Sequence, residues 1–166
     1  MRTLGRVLPT LLAQTQGGIL AYFPETMGDE RAKNNFANTA RLVAIAYNAR
    51  AVALVLESWV AFARPGRPLD PSVPPSQSPD RQECVVIQAE SASAVKGNFL
   101  LIKRDLKGTL ARLASANVPE FDEMKGRFSQ IMPPIQPSVE NRKLARQVLL
   151  MMGVAPERMG FGPNWN

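Results

Sequence analysis

Three carboxylates, those of Glu57, Asp80 and Glu90, occur where strands of this chain are expected to begin or end. Such groups at neighbouring strand ends would hold Mg²⁺ through hard oxygen ligands and support hydrolysis of a phosphodiester. The 166 residues contain no His and a single Cys, so imidazole-dependent triads and multi-thiolate zinc sites are excluded. A metal-dependent phosphodiester hydrolase is the catalytic hypothesis that this composition leaves open.

Two features of the sequence weaken that hypothesis. A nuclease of the restriction type usually carries Lys two residues after its second acid, whereas Ala92 holds that position after Glu90. Glu57 follows the most apolar run of the chain, where a carboxylate is costly unless it is paired. Its expected partner is Arg81 or Arg50, so we interpret Glu57 as half of a structural ion pair. The sequence predicts no metal and no cofactor.

Positive charge provides a second set of candidate residues. The chain has 20 Lys and Arg against 14 Asp and Glu, a net charge of +6 that suits a polyanionic partner. The cations expected on a hairpin and on the polar side of the last helix are Lys103, Arg104, Lys107, Arg142, Lys143 and Arg146. Both groups could face one nucleic acid, although Phe99 alone in this hairpin offers a ring for base stacking. A solvated charged surface is the alternative.

Two further segments could contact a protein partner. Pro68, Pro71 and Pro74 recur at every third residue of the proline-rich loop 65–81, which is the period of a polyproline II helix and of a docking ridge. A stiff surface connection is the alternative. In the tail, 154–166, Phe161 and Trp165 lie among glycines, and they either fold back on their own domain or insert into a neighbouring subunit.

The elements that position these residues follow from the apolar periodicity. Helical spacing predicts helices over 3–16, 29–48 and 138–152, the last beginning at the cap Ser138. Short apolar runs predict strands over 19–23, 51–62, 83–89, 99–102 and 109–113. The prolines between 115 and 137 predict an irregular segment with at most one short helix, near 120–128.

This order of elements predicts a mixed α/β (α+β) fold in a single domain over 1–166. A strand, a helix and a strand in succession favour one β-α-β crossover between parallel strands, followed by an antiparallel meander. We therefore expect a mixed sheet of about five strands with two to three packed helices. A cytoplasmic protein without membrane association is expected, because charges interrupt the longest apolar run, 42–63, and the single Cys permits no intrachain disulfide.

Three short motifs follow one another in the middle of the chain. Glu57-Ser58-Trp59 ends one strand, the Pro-Ser and Pro-Asp-Arg stretch of 74–83 opens the next, and the Arg-Asp turn of 102–108 follows. This layout, over residues 29–114, resembles small uncharacterised proteins of bacteria and their phages. The resemblance implies no activity.

No group of residues in this sequence reaches the specificity expected of a catalytic site. The leading hypothesis is therefore a noncatalytic assembly or interaction protein of bacterial or phage origin, which binds a protein partner or another copy of itself. A nucleic-acid-binding protein is the alternative, and the Mg²⁺-dependent hydrolase is the third.

Overall fold

The computed structural model describes residues 6–63, 66, 68–70, 72–116 and 127–159. The strands are β1 (Thr10–Thr15), β2 (Gly18–Tyr22), β3 (Ala51–Val60), β4 (Gln82–Ser91), β5 (Val95–Arg104), β6 (Leu110–Ser115) and β7 (Glu157–Met159). The helices are α1 (Glu30–Ala46) and α2 (Val139–Met151), and a short 3₁₀ helix spans Pro75–Gln77. The strands form a seven-stranded sheet in the order β6-β5-β4-β3-β1-β2-β7.

The predicted mixture of α and β structure is confirmed, and two helices accompany the sheet in the part of the chain described. The predicted mixed sheet is wrong, because every pairing between the described strands is antiparallel. β1 pairs with both β2 and β3, so these two strands run in the same direction but are not neighbours. α1 therefore joins parallel strands across β1, which occupies the place where direct pairing was expected.

The first described element is a strand, which corrects the helix predicted over 3–16. Leu11 and Ala13 are buried on one side of β1, in the two-residue alternation of a strand. The turn into β2 is closed by the Thr15 hydroxyl, which donates to the Gly18 carbonyl at 2.7 Å. Gly18 has a φ of +108°, which a residue with a side chain rarely adopts. Pairing with β2 and β3 outweighs the helical spacing of the leucines.

α1 confirms the second predicted helix. The Asp29 carboxylate accepts the Ala32 backbone N–H at 2.7 Å and so caps the first turn. The helix ends before Asn48, which has a φ of +50°. One face of α1 packs on the sheet and forms the core with residues of β1 and β3, and its buried members are Phe36, Ala37, Thr39, Ala40, Val43, Ala44 and Ala46.

β3 to β6 form the predicted antiparallel meander. β3 and β4 pair along ten residues, and β4 then pairs with β5. The turn between β5 and β6 is closed by the Asp105 carboxylate, which accepts the backbone N–H groups of Lys107 at 2.9 Å and Thr109 at 2.8 Å. Gly108 in this turn has a φ of +75°. The meander thus places Glu57 on β3 and Arg104 on β5, with β4 between them.

α2 confirms the last predicted helix, and the Ser138 hydroxyl caps it by accepting the Asn141 N–H at 3.1 Å. The apolar side chains of this helix are only partly buried. Ala145 and Leu149 are buried against the core, whereas Leu144 is 60% exposed. α2 therefore presents apolar side chains to the outside as well as to the core.

Several predictions concern segments outside the described residues. These segments include Pro71, Phe161, Trp165 and most of the short helix expected near 120–128. Within the loop 65–81, Pro68 and Pro74 are exposed, and the Val73 N–H donates to the Asp70 carbonyl at 3.2 Å. This turn and the 3₁₀ helix after it interrupt a continuous polyproline II helix through the described part of the loop.

Candidate functional site

A charged cluster links β3, β4 and β5 on one face of the sheet. Glu57 lies opposite Val85, and Glu83 precedes Val85 by two residues, so the two carboxylates share that face. Arg104 donates from Nη2 to Glu57 Oε1 at 2.8 Å and from Nε to Glu83 Oε2 at 2.6 Å. The Val7 backbone N–H donates to the other oxygen of Glu57 at 2.9 Å. Glu57 is thus a structural ion-pair residue, as predicted, but its partner is Arg104.

The electrostatics of this cluster shift the pKa values of its two carboxylates in opposite directions. Hydrogen bonds from Arg104 lower the pKa of Glu83. Burial and the neighbouring Glu83 carboxylate raise the pKa of Glu57, because its charged form is desolvated and faces a like charge. Hydrogen bonding to Glu83 raises the pKa of Arg104. The cluster is therefore one guanidinium between two acids, of which Glu57 takes up a proton first as the pH falls.

Arg81 has a different role from the one predicted for it. Its guanidinium carbon lies 5.2 Å from the centroid of the Trp59 ring, a cation–π contact. Its Nη1 also donates to the Ser76 carbonyl at 3.0 Å. The predicted pair of Glu57 with Arg81 is therefore wrong, because the pairing of β4 with β5 brings Arg104 to Glu57.

The structure does not bring the three predicted carboxylates together. Glu90 lies opposite Val52, five positions along β3 from Glu57. An odd separation places the two acids on opposite faces, about 17 Å apart along the strand. Asp80 lies in the turn before β4, where its backbone N–H donates to the Ser78 hydroxyl at 3.3 Å. Among the described residues, no three His, Cys, Asp or Glu side chains are grouped to hold a metal ion.

Glu90 instead fastens an irregular segment to the sheet. Its side chain is buried, and its two oxygens accept the backbone N–H groups of Ile131 at 3.0 Å and Met132 at 2.9 Å. Gln88 Nε2 on the same strand donates to the Phe128 carbonyl at 2.9 Å. The segment lacks a backbone ladder of its own here, so side chains satisfy its polar groups.

Arg41 of α1 completes this attachment from the other side. Its Nη2 donates to the carbonyls of Arg127 at 2.7 Å and Ser129 at 2.9 Å. The roles of Arg41 and Gln88 were not predicted from the sequence. The available signal was the proline-rich segment itself, because a chain without regular structure needs side-chain partners if it packs on a core.

The predicted basic residues fall into two separate groups. Lys103 and Lys107 are exposed beside the turn after β5, but Arg104 is held by its two carboxylates. On α2, Arg146 Nε donates to the Ala46 carbonyl at 2.9 Å, near the start of β3. The hairpin lies near the other end of β3, so the structure does not place the two groups on one surface. Nucleic-acid binding stays a prediction.

The other two predicted cations of α2 lie on its basic flank. Arg142 and Lys143 border a shallow groove together with Val139 and Leu150, which are 65% and 74% exposed. Residues 139, 143, 146 and 150 recur at helical spacing and form one side of the helix. This side combines positive charge with exposed apolar groups.

The opposite flank of α2 is apolar and borders a groove against α1. Leu144, Val148 and Met151 recur at the i, i+4, i+7 spacing of one helix side. Leu144 and Met151 are 60% and 80% exposed, and Ile135 in the segment before the helix is 79% exposed. The groove, of about 480 Å³, continues to Ile45 of α1. Exposure on this scale distinguishes the flank from ordinary single apolar residues on a surface.

Comparison with known proteins identifies no relative of this chain. No family model, no curated protein and no solved structure matches the chain. The resemblance to bacterial and phage proteins therefore gains no support from these comparisons. In the part of the chain described, neither helix has the length and apolar character needed to cross a bilayer.

Proposed function

We propose that this protein is a noncatalytic assembly protein that self-associates through the apolar flank of α2. The observation that carries the proposal is the exposure of Ile135 and Leu144, which line one groove. The exposed Met151 extends the same side of α2. Burying such side chains gains about 1.5 to 3 kcal/mol each relative to leaving them in water. A folded chain that leaves them exposed retains that driving force for association.

The charge distribution favours a second copy of the chain as the occupant of this flank. None of the described residues that line the groove is charged. A two-fold axis places each surface opposite itself, so an uncharged lining meets no like charge. The basic flank of α2 would instead set Lys143 and its neighbouring cations opposite their own copies, which is unfavourable.

The contacts of the buried and half-buried ionisable groups agree with a noncatalytic role. Glu57, Glu83 and Arg104 bind one another, and Glu90 accepts two backbone N–H groups. Each of these groups is engaged in holding strands or segments together. These contacts support an architectural assignment for the residues that the catalytic hypothesis would need.

The experiment compares matched charge insertions on the two flanks of α2. The double variant Leu144→Glu, Met151→Glu is expected to be monomeric by analytical ultracentrifugation, because a charge in an apolar interface is desolvated. The control is Leu150→Glu, a similar substitution at a residue 74% exposed on the basic flank, which is expected to leave association unchanged. Far-UV circular dichroism verifies that all variants remain folded.

Two outcomes would overturn the proposal. A wild-type chain that stays monomeric at about 1 mM would have a self-association free energy weaker than about 4 kcal/mol. Equal dissociation by Leu150→Glu and by the double variant would show that the apolar flank is not the interface.

A further inference from the structure

A second cavity, of about 510 Å³, lies between β2, α1 and the chain that follows α2. This volume lies within the range of small-molecule sites. Tyr22 and the exposed Phe23 contribute aromatic surface to the lining. The Tyr22 ring stacks on the buried Phe36, with centroids 6.1 Å apart and planes inclined by 28°. The lining also includes the exposed polar residues Thr26 and Asn35, so an apolar ligand body and a polar group could both be accommodated.

The charge of this cavity is opposite to that of the whole chain. Its charged lining residues are Glu25 and Glu157, and none of the described residues that line it is Lys or Arg. The chain as a whole has 20 Lys and Arg and a net charge of +6. Burial and then the Glu25 carboxylate raise the pKa of Tyr22, so the field of Glu25 reaches the phenol. The cavity thus combines negative charge with aromatic rings.

We propose that this cavity binds a small organic cation with an aromatic or alkyl body, of the arylalkylammonium class. The carboxylates of Glu25 and Glu157 attract the ammonium group, and the body contacts Tyr22 and Phe23. Aromatic faces and carboxylates both attract a cation. An anion of the same size meets two like charges and is rejected. This site is separate from the apolar flank of α2 and does not depend on self-association.

The test uses 2-phenylethylammonium as the probe and the neutral 2-phenylethanol as its control. Both are titrated into isotopically labelled full-length protein and followed by amide chemical shifts. The cation is expected to produce saturable shifts at Tyr22, Asn35 and Gly153, which line the cavity. The alcohol, which lacks the charge, is expected to bind more weakly.

Matched variants separate this site from general attraction to acidic side chains. Glu25→Gln and Glu157→Gln are each expected to weaken the cation about two- to fivefold, the range of an exposed ion pair. Glu140→Gln removes the same charge from an exposed position outside the cavity, in the first turn of α2, and is expected to leave affinity unchanged. The heteronuclear correlation spectrum of each variant verifies its fold.

Three results would overturn this proposal. One is the lack of saturable shifts at the lining residues, and another is equal binding of the alcohol and the ammonium. The third is an unchanged affinity in the double variant Glu25→Gln, Glu157→Gln. None of these results bears on self-association, which is measured separately on the α2 variants.

Discussion

Replacing Glu90 with Ala tests whether a buried carboxylate attaches the segment near 131 to the sheet. The Glu90 side chain is 7% exposed and accepts the N–H groups of Ile131 and Met132, which are 1% and 8% exposed. Alanine removes both acceptor oxygens without offering a substitute. Two buried N–H groups then lose their partners, and the packing of Ile131 against the core loosens with them.

The expected loss follows from these two bonds. A hydrogen bond to a charged group contributes about 1.5 to 3 kcal/mol, so Glu90→Ala should cost about 3 to 6 kcal/mol. That is a large part of the roughly 5 to 15 kcal/mol that stabilises a typical domain. Glu90→Gln keeps one carbonyl oxygen and should lose about half as much. Glu140→Ala, at an exposed position, serves as the control.

Urea unfolding followed by circular dichroism measures the free energy of unfolding of each variant. Hydrogen exchange then reports on the two amides directly, and those of Ile131 and Met132 should lose protection more than the amides of β4. A loss below about 1 kcal/mol, within the range of ordinary substitutions, together with unchanged exchange at both amides, would show that Glu90 does not hold this segment on the sheet.

Three further predictions concern ionisable groups. Hydrogen bonds from Lys33 and then Arg127 lower the pKa of Glu30 from 4.5 to about 2. The ionised carboxylate therefore stabilises the fold above its ordinary pKa, and this contribution is lost as the pH falls toward the lowered value. A titration of the Glu30 carboxyl carbon with a midpoint near 4.5 would contradict the structure. Burial raises the pKa of the Cys84 thiol to about 11, so a thiol reagent at pH 8 should label it only in urea, and rapid labelling of the native protein would show an accessible thiolate. Arg104→Gln should lower the free energy of unfolding at neutral pH by stranding two carboxylates. Because the pKa of Glu57 is raised by burial and by Glu83, the deficit should begin to shrink above the ordinary Glu pKa of 4.5 as the pH falls. A pH-independent deficit would argue against an electrostatic cause.

The parts of the fold that could be predicted from the sequence depend on neighbouring residues. The caps Asp29 and Ser138 bind N–H groups three residues away, and Asp105 closes a turn onto Thr109. Such bonds are complete within one turn of chain, so residue type and spacing are sufficient to indicate them. For this reason α1, α2 and the β5–β6 hairpin lie close to their predicted positions.

The features that depend on distant partners could not be predicted from the sequence. The leucines before Thr15 suit a helix face as well as a strand, and only pairing with β2 and β3 selects the strand. Glu57 is bound by Arg104, 47 residues away, because the register across β4 aligns them. Likewise, α2 has more apolar residues than its contact with α1 can cover, so Leu144 is exposed while Ala145 is buried. Apolar spacing identifies the faces of a helix or strand, but the packing of another element determines which face is buried.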